Sequence, residues 1–139
     1  MVFENIEFRI IGDGILKNEI IDFINTHNLQ KYIVLLGYQP HRVFAEELEK
    51  AHLYLQPSVT AQNGDSEGGA PTTLLEAQAC GVPVVSSFHA DIPEVVIDGK
   101  SGFLTQERDF NAISEKLEYL ITHPEIWPAM GKEGRKHIE

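Results

Sequence analysis

At 139 residues the chain is long enough for one domain with its own core and too short for two. Asp and Glu number 21 against 11 Lys and Arg, a formal net charge of −10, which argues against nucleic-acid or anionic-membrane binding because both need clustered cations. Apolar residues at 42% and charged residues at 23% exclude a disordered tail. The single cysteine, Cys80, excludes an intrachain disulfide framework and fits a reducing compartment. The longest apolar run, residues 33–36, is far below the ~20 residues of a membrane span. The opening MVFENIEFRI lacks the basic start and apolar core of a signal peptide. The expected class is a cytoplasmic, acidic domain.

In chain order, residues 6–11 read as a strand ending in the turn Gly12-Asp13-Gly14. Leu16, Ile20, Phe23 and Ile24 then recur at helical spacing and predict a helix over 15–27. Residues 32–36 form a compact strand stopped by Gly37, and Val43, Phe44 and Leu48 predict a helix over 42–51. A third strand over 53–56 is closed by Pro57. The 13 residues SVTAQNGDSEGGA that follow carry no clear period and read as a loop, long enough to suggest function. Pro71 suits a first helical turn, where its missing N–H is no loss, and Gly81 suits the left-handed position that ends a helix.

A fourth strand spans 83–87, a short helix 92–97, a turn 98–102 and a fifth strand 103–105. Asp109 can cap a helix carrying Ile113, Leu117, Leu120 and Ile121. A last helical piece over 124–130 precedes a basic tail expected to fray. Strands alternating with helices imply a parallel sheet flanked by helices, and short continuous apolar strands imply cover on both faces. Such sheets bind ligands beyond the carboxyl ends of their strands. The candidate site therefore draws on residues 12–14, 37–42, 58–71 and 87–93.

Most of the chemistry lies in Glu67-Gly68-Gly69-Ala70-Pro71-Thr72-Thr73-Leu74-Leu75-Glu76. The two glycines and Ala70 strip bulk from the backbone just before a helix starts, so a phosphate oxygen could reach its free N–H groups. Thr72 and Thr73 precede Glu76 by four and three residues and share its helix face. A carboxylate at that depth accepts hydrogen bonds from a ribose diol. The alternative is an ordinary glycine-rich surface loop with a solvated Glu76.

Together these residues resemble the family-four (group 1) glycosyltransferases. The resemblance rests on Ile10-Ile11-Gly12-Asp13-Gly14, Leu36-Gly37, Gln56-Pro57-Ser58, the segment from Glu67 to Cys80, Gly81-Val82-Pro83-Val84-Val85, Ile92-Pro93-Glu94 and Asp98-Gly99-Lys100-Ser101-Gly102-Phe103. These pieces cover nearly the whole chain in the family's order. The resemblance implies the C-terminal, Rossmann-like donor lobe of a two-lobed GT-B enzyme that transfers a sugar, with retention, from a nucleotide-diphosphate sugar to a sugar or lipid-linked acceptor. It implies Glu76 on the ribose, Glu67 beside the donor sugar as the catalytic carboxylate, and Gly68, Gly69, Ala70, Thr72 and Thr73 around sugar and diphosphate. No cofactor or metal is expected. In the full-length protein it suggests peripheral placement at the inner face of the membrane.

The family's signature places seven residues between its glutamates, whereas eight separate Glu67 from Glu76. Either the loop bulges at Gly68-Gly69 or the role of Glu67 is displaced. Residues 51–99 hold no Lys or Arg, yet include Asp65, Glu67, Glu76, Asp91, Glu94 and Asp98. A phosphate ~4 Å from an unpaired carboxylate is repelled by about 4 kcal/mol at an effective dielectric of ~20. Helix amides offset only ~1–2 kcal/mol of that. The family's basic segment, its first strand and its acceptor lobe with a catalytic histidine would precede residue 1, so the chain is expected to be a fragment, inactive alone. Losing a central strand exposes sheet edges, through which copies could self-associate.

Other signals are weaker. Gly12 and Gly14 join the candidate site as a strand-end turn, but Lys17 occupies the third glycine of a dinucleotide fingerprint. No glycine-lysine-serine/threonine triplet makes a P-loop. The six histidines show no metal spacing; His89 alone lies in a strand-end loop over the proposed site. Tyr38, Arg42 and Ser58 border it or are ordinary surface, and Cys80 reads as a packing residue. A non-catalytic nucleotide-sugar module and the GT-B UDP-sugar epimerase are the competing readings.

Overall fold

A computed structural model describes residues 3–139, leaving Met1 and Val2 of the opening segment outside the described residues. The chain divides into two compact units, Met1–Glu47 and Leu48–Glu139. In the first, β1 (Phe8–Ile11) and β2 (Ile33–Gly37) pair in parallel, Phe8 opposite Ile33, with a register shift between Ile10 and Ile11. They are joined by α1 (Lys17–Thr26). That helix ends in two bonds, Asn28 N–H to the Asn25 carbonyl and Leu29 N–H to that of Ile24. Asn28 takes the left-handed φ of +55° that this arrangement needs. The helix starts later than its pattern predicts, and only Ile24 of the expected apolar face is buried; Leu16, Ile20 and Phe23 remain exposed.

Helix α2 (His41–Lys50) carries the boundary between the units. The second unit holds a parallel ladder in the order β3 (Tyr54–Gln56), β4 (Val84–Ser87), β5 (Gly102–Thr105). Tyr54 lies opposite Val84, and Val84 opposite Gly102. The connections run through α3 (Thr72–Ala79) and the short α4 (Ile92–Val95). Every residue of the central strand β4 is buried, as a strand covered on both faces requires. Its two serines stay satisfied because Ser86 donates to the Gln56 carbonyl and Ser87 to that of Ser58. Among the described residues β4 is the one strand paired on both sides.

Helix α3 follows Pro71 directly. It closes with Gly81 N–H on the Gln78 carbonyl and Val82 N–H on that of Ala77, with Gly81 at φ +72°. Cys80 caps it in an exposed position, so the expected packing role is not met. The capping role of Asp109 is met, its carboxylate accepting from Ala112 N–H at the start of α5 (Phe110–Thr122). Val85, Ile113, Leu120 and Met130 form a core with Leu55, Phe103 and Trp127 packed against it.

The basic tail does not fray. After a 3-10 turn (Pro124–Ile126) it continues as α6 (Trp127–Ile138). Two glycines, which lower helix propensity by ~1 kcal/mol each, are the points where this helix lies against its neighbour. A Cβ on Gly131 would stand 1.9 Å from the Gly81 carbonyl oxygen, and one on Gly134 would stand 3.2 Å from the Gln78 side chain. Close packing against α3 outweighs the local propensity that the tail's sequence suggests.

Candidate functional site

In the second unit the three parallel strands deliver their carboxyl ends together. The segments leaving β3, β4 and β5 are tied to one another by side chains. Ser87, the last residue of β4, donates to the Ser58 carbonyl beyond β3. His89, just past β4, meets Glu107, just past β5, with its Nδ1 2.6 Å from Glu107 Oε1. Glu107 also accepts from Thr60 N–H at 2.9 Å. Its carboxyl group is held below the ordinary carboxylate range, first by the His89 bond and then by the Thr60 amide.

The predicted long loop runs irregularly from β3 to α3, tied within itself by Ala61 N–H on the Asp65 carbonyl and Gly64 N–H on that of Ala61. At its far end Glu67 is exposed and reaches Gln56 on β3, whose Nε2 lies 3.4 Å from Glu67 Oε1. Gly68 adopts φ +72°, a left-handed residue in the stretch where the glutamate spacing exceeds the family's. Gly69 approaches Asp91: a Cβ there would lie 3.7 Å from its Oδ2. Gly69 and Ala70 are half-buried.

On α3, Leu74 is fully buried, while Thr72 is exposed and Thr73 and Glu76 are half-buried. Thr73 donates to Gln56 Oε1 at 2.7 Å. Tyr54 donates to the same oxygen at 2.6 Å. Burial pushes the Tyr54 phenol up, and the nearby negative charges of Glu76 and Glu67 add to that. Glu76 therefore stands in the same electrostatic neighbourhood as Tyr54, Gln56, Thr73 and Glu67.

Sequence reasoning missed Gln56 and Glu107. Tyr54 and Gln56 share one face of β3, since alternate strand residues point the same way, so two polar groups in a short apolar strand were the available signal for Gln56. Nothing local marks Glu107, whose partners lie 18 and 47 positions away. His89 is 3% exposed, deeper than a strand-end loop suggests, and its Nε2 is buried without a hydrogen-bond partner among the described residues. Ser58 is half-buried, and its Oγ is likewise unpartnered.

The remaining predicted residues lie in the first unit. Gly12 takes φ +141° and donates to the Gly37 carbonyl. Gly14 N–H donates to Asp13, whose carboxylate is held low chiefly by Lys17 and then by that amide. A mainly apolar cavity of about 360 Å³ is lined by Ile10, Gly12, Gly14, Leu16, Ile20 and Leu35. Tyr38 is 82% exposed beyond β2, and Arg42 pairs with Glu46. Among the described residues no cluster of three His, Cys, Asp or Glu side chains could hold a metal ion, and no helix is long and apolar enough to cross a membrane.

The family model described as glycosyl transferases group 1 matches residues 2–137. The amylovoran biosynthesis glycosyltransferase AmsK of Erwinia amylovora is 40% identical over 111 residues, 80% of this chain and 27% of that protein. A GDP-mannose-dependent α-(1-6)-phosphatidylinositol monomannoside mannosyltransferase of Mycolicibacterium smegmatis is 37% identical over 116 residues, 77% of this chain and 30% of that one. Among solved structures, TarM superposes with a TM-score of 0.83 at 25% identity over 97% of this chain and 26% of TarM. The chain thus spans about a third of the length of the curated relatives it matches. A family match over nearly every residue, joined to parallel β/α units and a glycine-rich approach to α3, establishes that the chain belongs to the group 1 glycosyltransferases.

Proposed function

We propose that the chain is the donor-binding part of a retaining glycosyltransferase, a hexosyltransferase holding a nucleotide-diphosphate sugar at the start of α3. The sugar passes to a sugar or lipid-linked acceptor presented by a further lobe of a longer protein. The observation that carries this reading is the cluster at the end of β3. There Gln56 joins Thr73 of α3 to Glu67 of the loop, with Glu76 close enough to influence Tyr54.

In this reading the half-buried Glu76 accepts from the ribose hydroxyls, and Glu67 faces the donor sugar across the glycine turn. Gly68, Gly69, Ala70, Thr72 and Thr73 frame the diphosphate with small side chains, backbone amides and hydroxyls. Residues 51–99 contain no Lys or Arg, so the diphosphate charge is met in part by cations outside that stretch. The GDP-mannose dependence of the mycobacterial relative supports a nucleotide-sugar donor.

The test is titration of the full-length protein with UDP-, GDP- and ADP-linked sugars, followed by transfer to an acceptor and determination of the anomeric configuration. Micromolar to millimolar binding of one of these and a product of unchanged configuration is expected. Binding without transfer in the presence of acceptors would favour a non-catalytic module, and failure to bind any of them would overturn the proposal.

A further inference from the structure

We propose that His89 and Glu107 are a positioning pair that fixes the loop between β3 and α3, and through it Glu67 and the glycine turn, before the donor arrives. This rests on the reading that the loop meets a nucleotide-sugar. Thr60, near the start of the loop, is held at both of its backbone groups by consecutive residues. Its N–H donates to Glu107 Oε2 at 2.9 Å, and its carbonyl accepts from Arg108 Nη2 at 2.6 Å. Glu107 is itself anchored by His89 from the end of β4. An ionised carboxylate only accepts, so the His89 Nδ1 carries the proton in that bond.

Two features mark the pair as more than packing. The neighbours Ala90 and Arg108 adopt left-handed backbone, φ +44° and +65°, conformations that non-glycine residues keep only where surrounding contacts impose them. The His89 Nε2 is left buried and unpaired. An apolar side chain would fill the space without that orphan but could not hold Glu107. What the imidazole adds is a directed Nδ1–H, and what that bond directs is the carboxylate holding Thr60. With the Ser87–Ser58 bond, the loop is anchored at its base before it reaches Glu67. A loop already ordered loses less freedom when a ligand binds, so its anchor should register as donor affinity.

The experiment uses the full-length protein, comparing wild type with His89→Leu, His89→Asn, Glu107→Ala and Arg108→Ala. Amide hydrogen exchange over residues 59–68, dissociation constants for UDP-glucose and GDP-mannose, and KM for donor and acceptor are measured. His89→Leu and Glu107→Ala should speed exchange there at least ten-fold and raise donor Kd and donor KM at least five-fold, leaving acceptor KM within two-fold. His89→Asn, whose amide places a donor near the Nδ1 position, should recover most of the loss. Arg108→Ala, a change at an exposed side chain that leaves the His89–Glu107 bond in place, should speed exchange at residues 60–61 two- to five-fold with a correspondingly smaller rise in donor Kd. It keeps the idea testable if the His89 and Glu107 variants fail to fold. If wild type binds a donor and the folded variants bind it equally well, or if loop exchange is unchanged, the positioning role is overturned alone. If wild type binds neither donor, the donor reading falls and this proposal with it.

Discussion

A single oxygen, Oε1 of Gln56, accepts hydrogen bonds from both Tyr54 and Thr73, at 2.6 and 2.7 Å, and so joins β3 to the first turn of α3. Because the Glu67 carboxylate only accepts, Nε2 faces it and Oε1 is left to take both hydroxyls. Burial keeps the Tyr54 phenol protonated well above neutral pH, so the donor is always present. Replacing Gln56 with Leu removes the acceptor that Tyr54 and Thr73 share, while the bond between the two hydroxyls stays. Losing an acceptor costs a half-buried hydroxyl ~1–3 kcal/mol. Gln56→Leu should therefore lower unfolding free energy in urea by about 2 kcal/mol, and a loss below ~0.5 kcal/mol would mean that water replaces the amide without penalty.

Glu76 carries the ribose assignment and can be separated from the scaffold. Hydrogen bonds to a charged group contribute ~1.5–3 kcal/mol. Glu76→Ala in the full-length protein should weaken nucleotide-sugar binding by that amount, with Glu76→Gln intermediate because an amide still accepts. Since Glu76 also raises the Tyr54 pKa, the melting temperature of each variant is recorded beside its Kd. An unchanged dissociation constant in Glu76→Ala would remove the ribose role.

The contrast between what was and was not legible in the sequence follows the range of the interactions. Gly81 and Asp109 were readable because a helix end is a local problem, solved by a left-handed residue or a carboxylate within a few positions. Pro71 and the two glycines located the start of α3 for the same reason. The Gln56 acceptor spans 17 positions to Thr73, and the His89–Glu107 bond spans 18, so only the folded strand ends bring them together. The tail after residue 130 was expected to fray but continues as α6, because tertiary contact at Gly131 and Gly134 supplies what local propensity withholds. The apolar stripe of α1 was read correctly as helical but not as exposed, since a period identifies a face and not what covers it.

Gly131 gives that argument a direct measurement. On propensity alone, Gly131→Ala would stabilise a helix interior by ~1 kcal/mol. The new Cβ would stand 1.9 Å from the Gly81 carbonyl oxygen and 2.7 Å from its carbon, and backbone cannot step aside as a flexible side chain can. Overpacking of this kind costs ~1–3 kcal/mol or more. The variant should be destabilised by about 2 kcal/mol net in chemical denaturation, and a rise in stability would show that the two helices separate freely.

Acid titration of stability tests the Glu107 anchor without any ligand. Its carboxyl is held below the ordinary value of 4.5, first by His89 and then by the Thr60 amide. A group whose folded pKa is depressed contributes stability that is complete above its unfolded pKa. As pH falls below about 4.5 the unfolded chain takes up the proton first, and the contribution declines until it is gone below the folded pKa. Glu107→Gln has no such proton to bind. The gap in unfolding free energy between wild type and Glu107→Gln should therefore stay level from pH 7 to about 5 and narrow steadily as the pH drops below 4.5. Subtracting the variant curve removes the parallel contribution of Asp13, which Lys17 also holds low. A gap that stayed constant down to pH 3 would mean that Glu107 titrates alike in both states, and its hold on His89 and Thr60 would then add nothing to the folded protein.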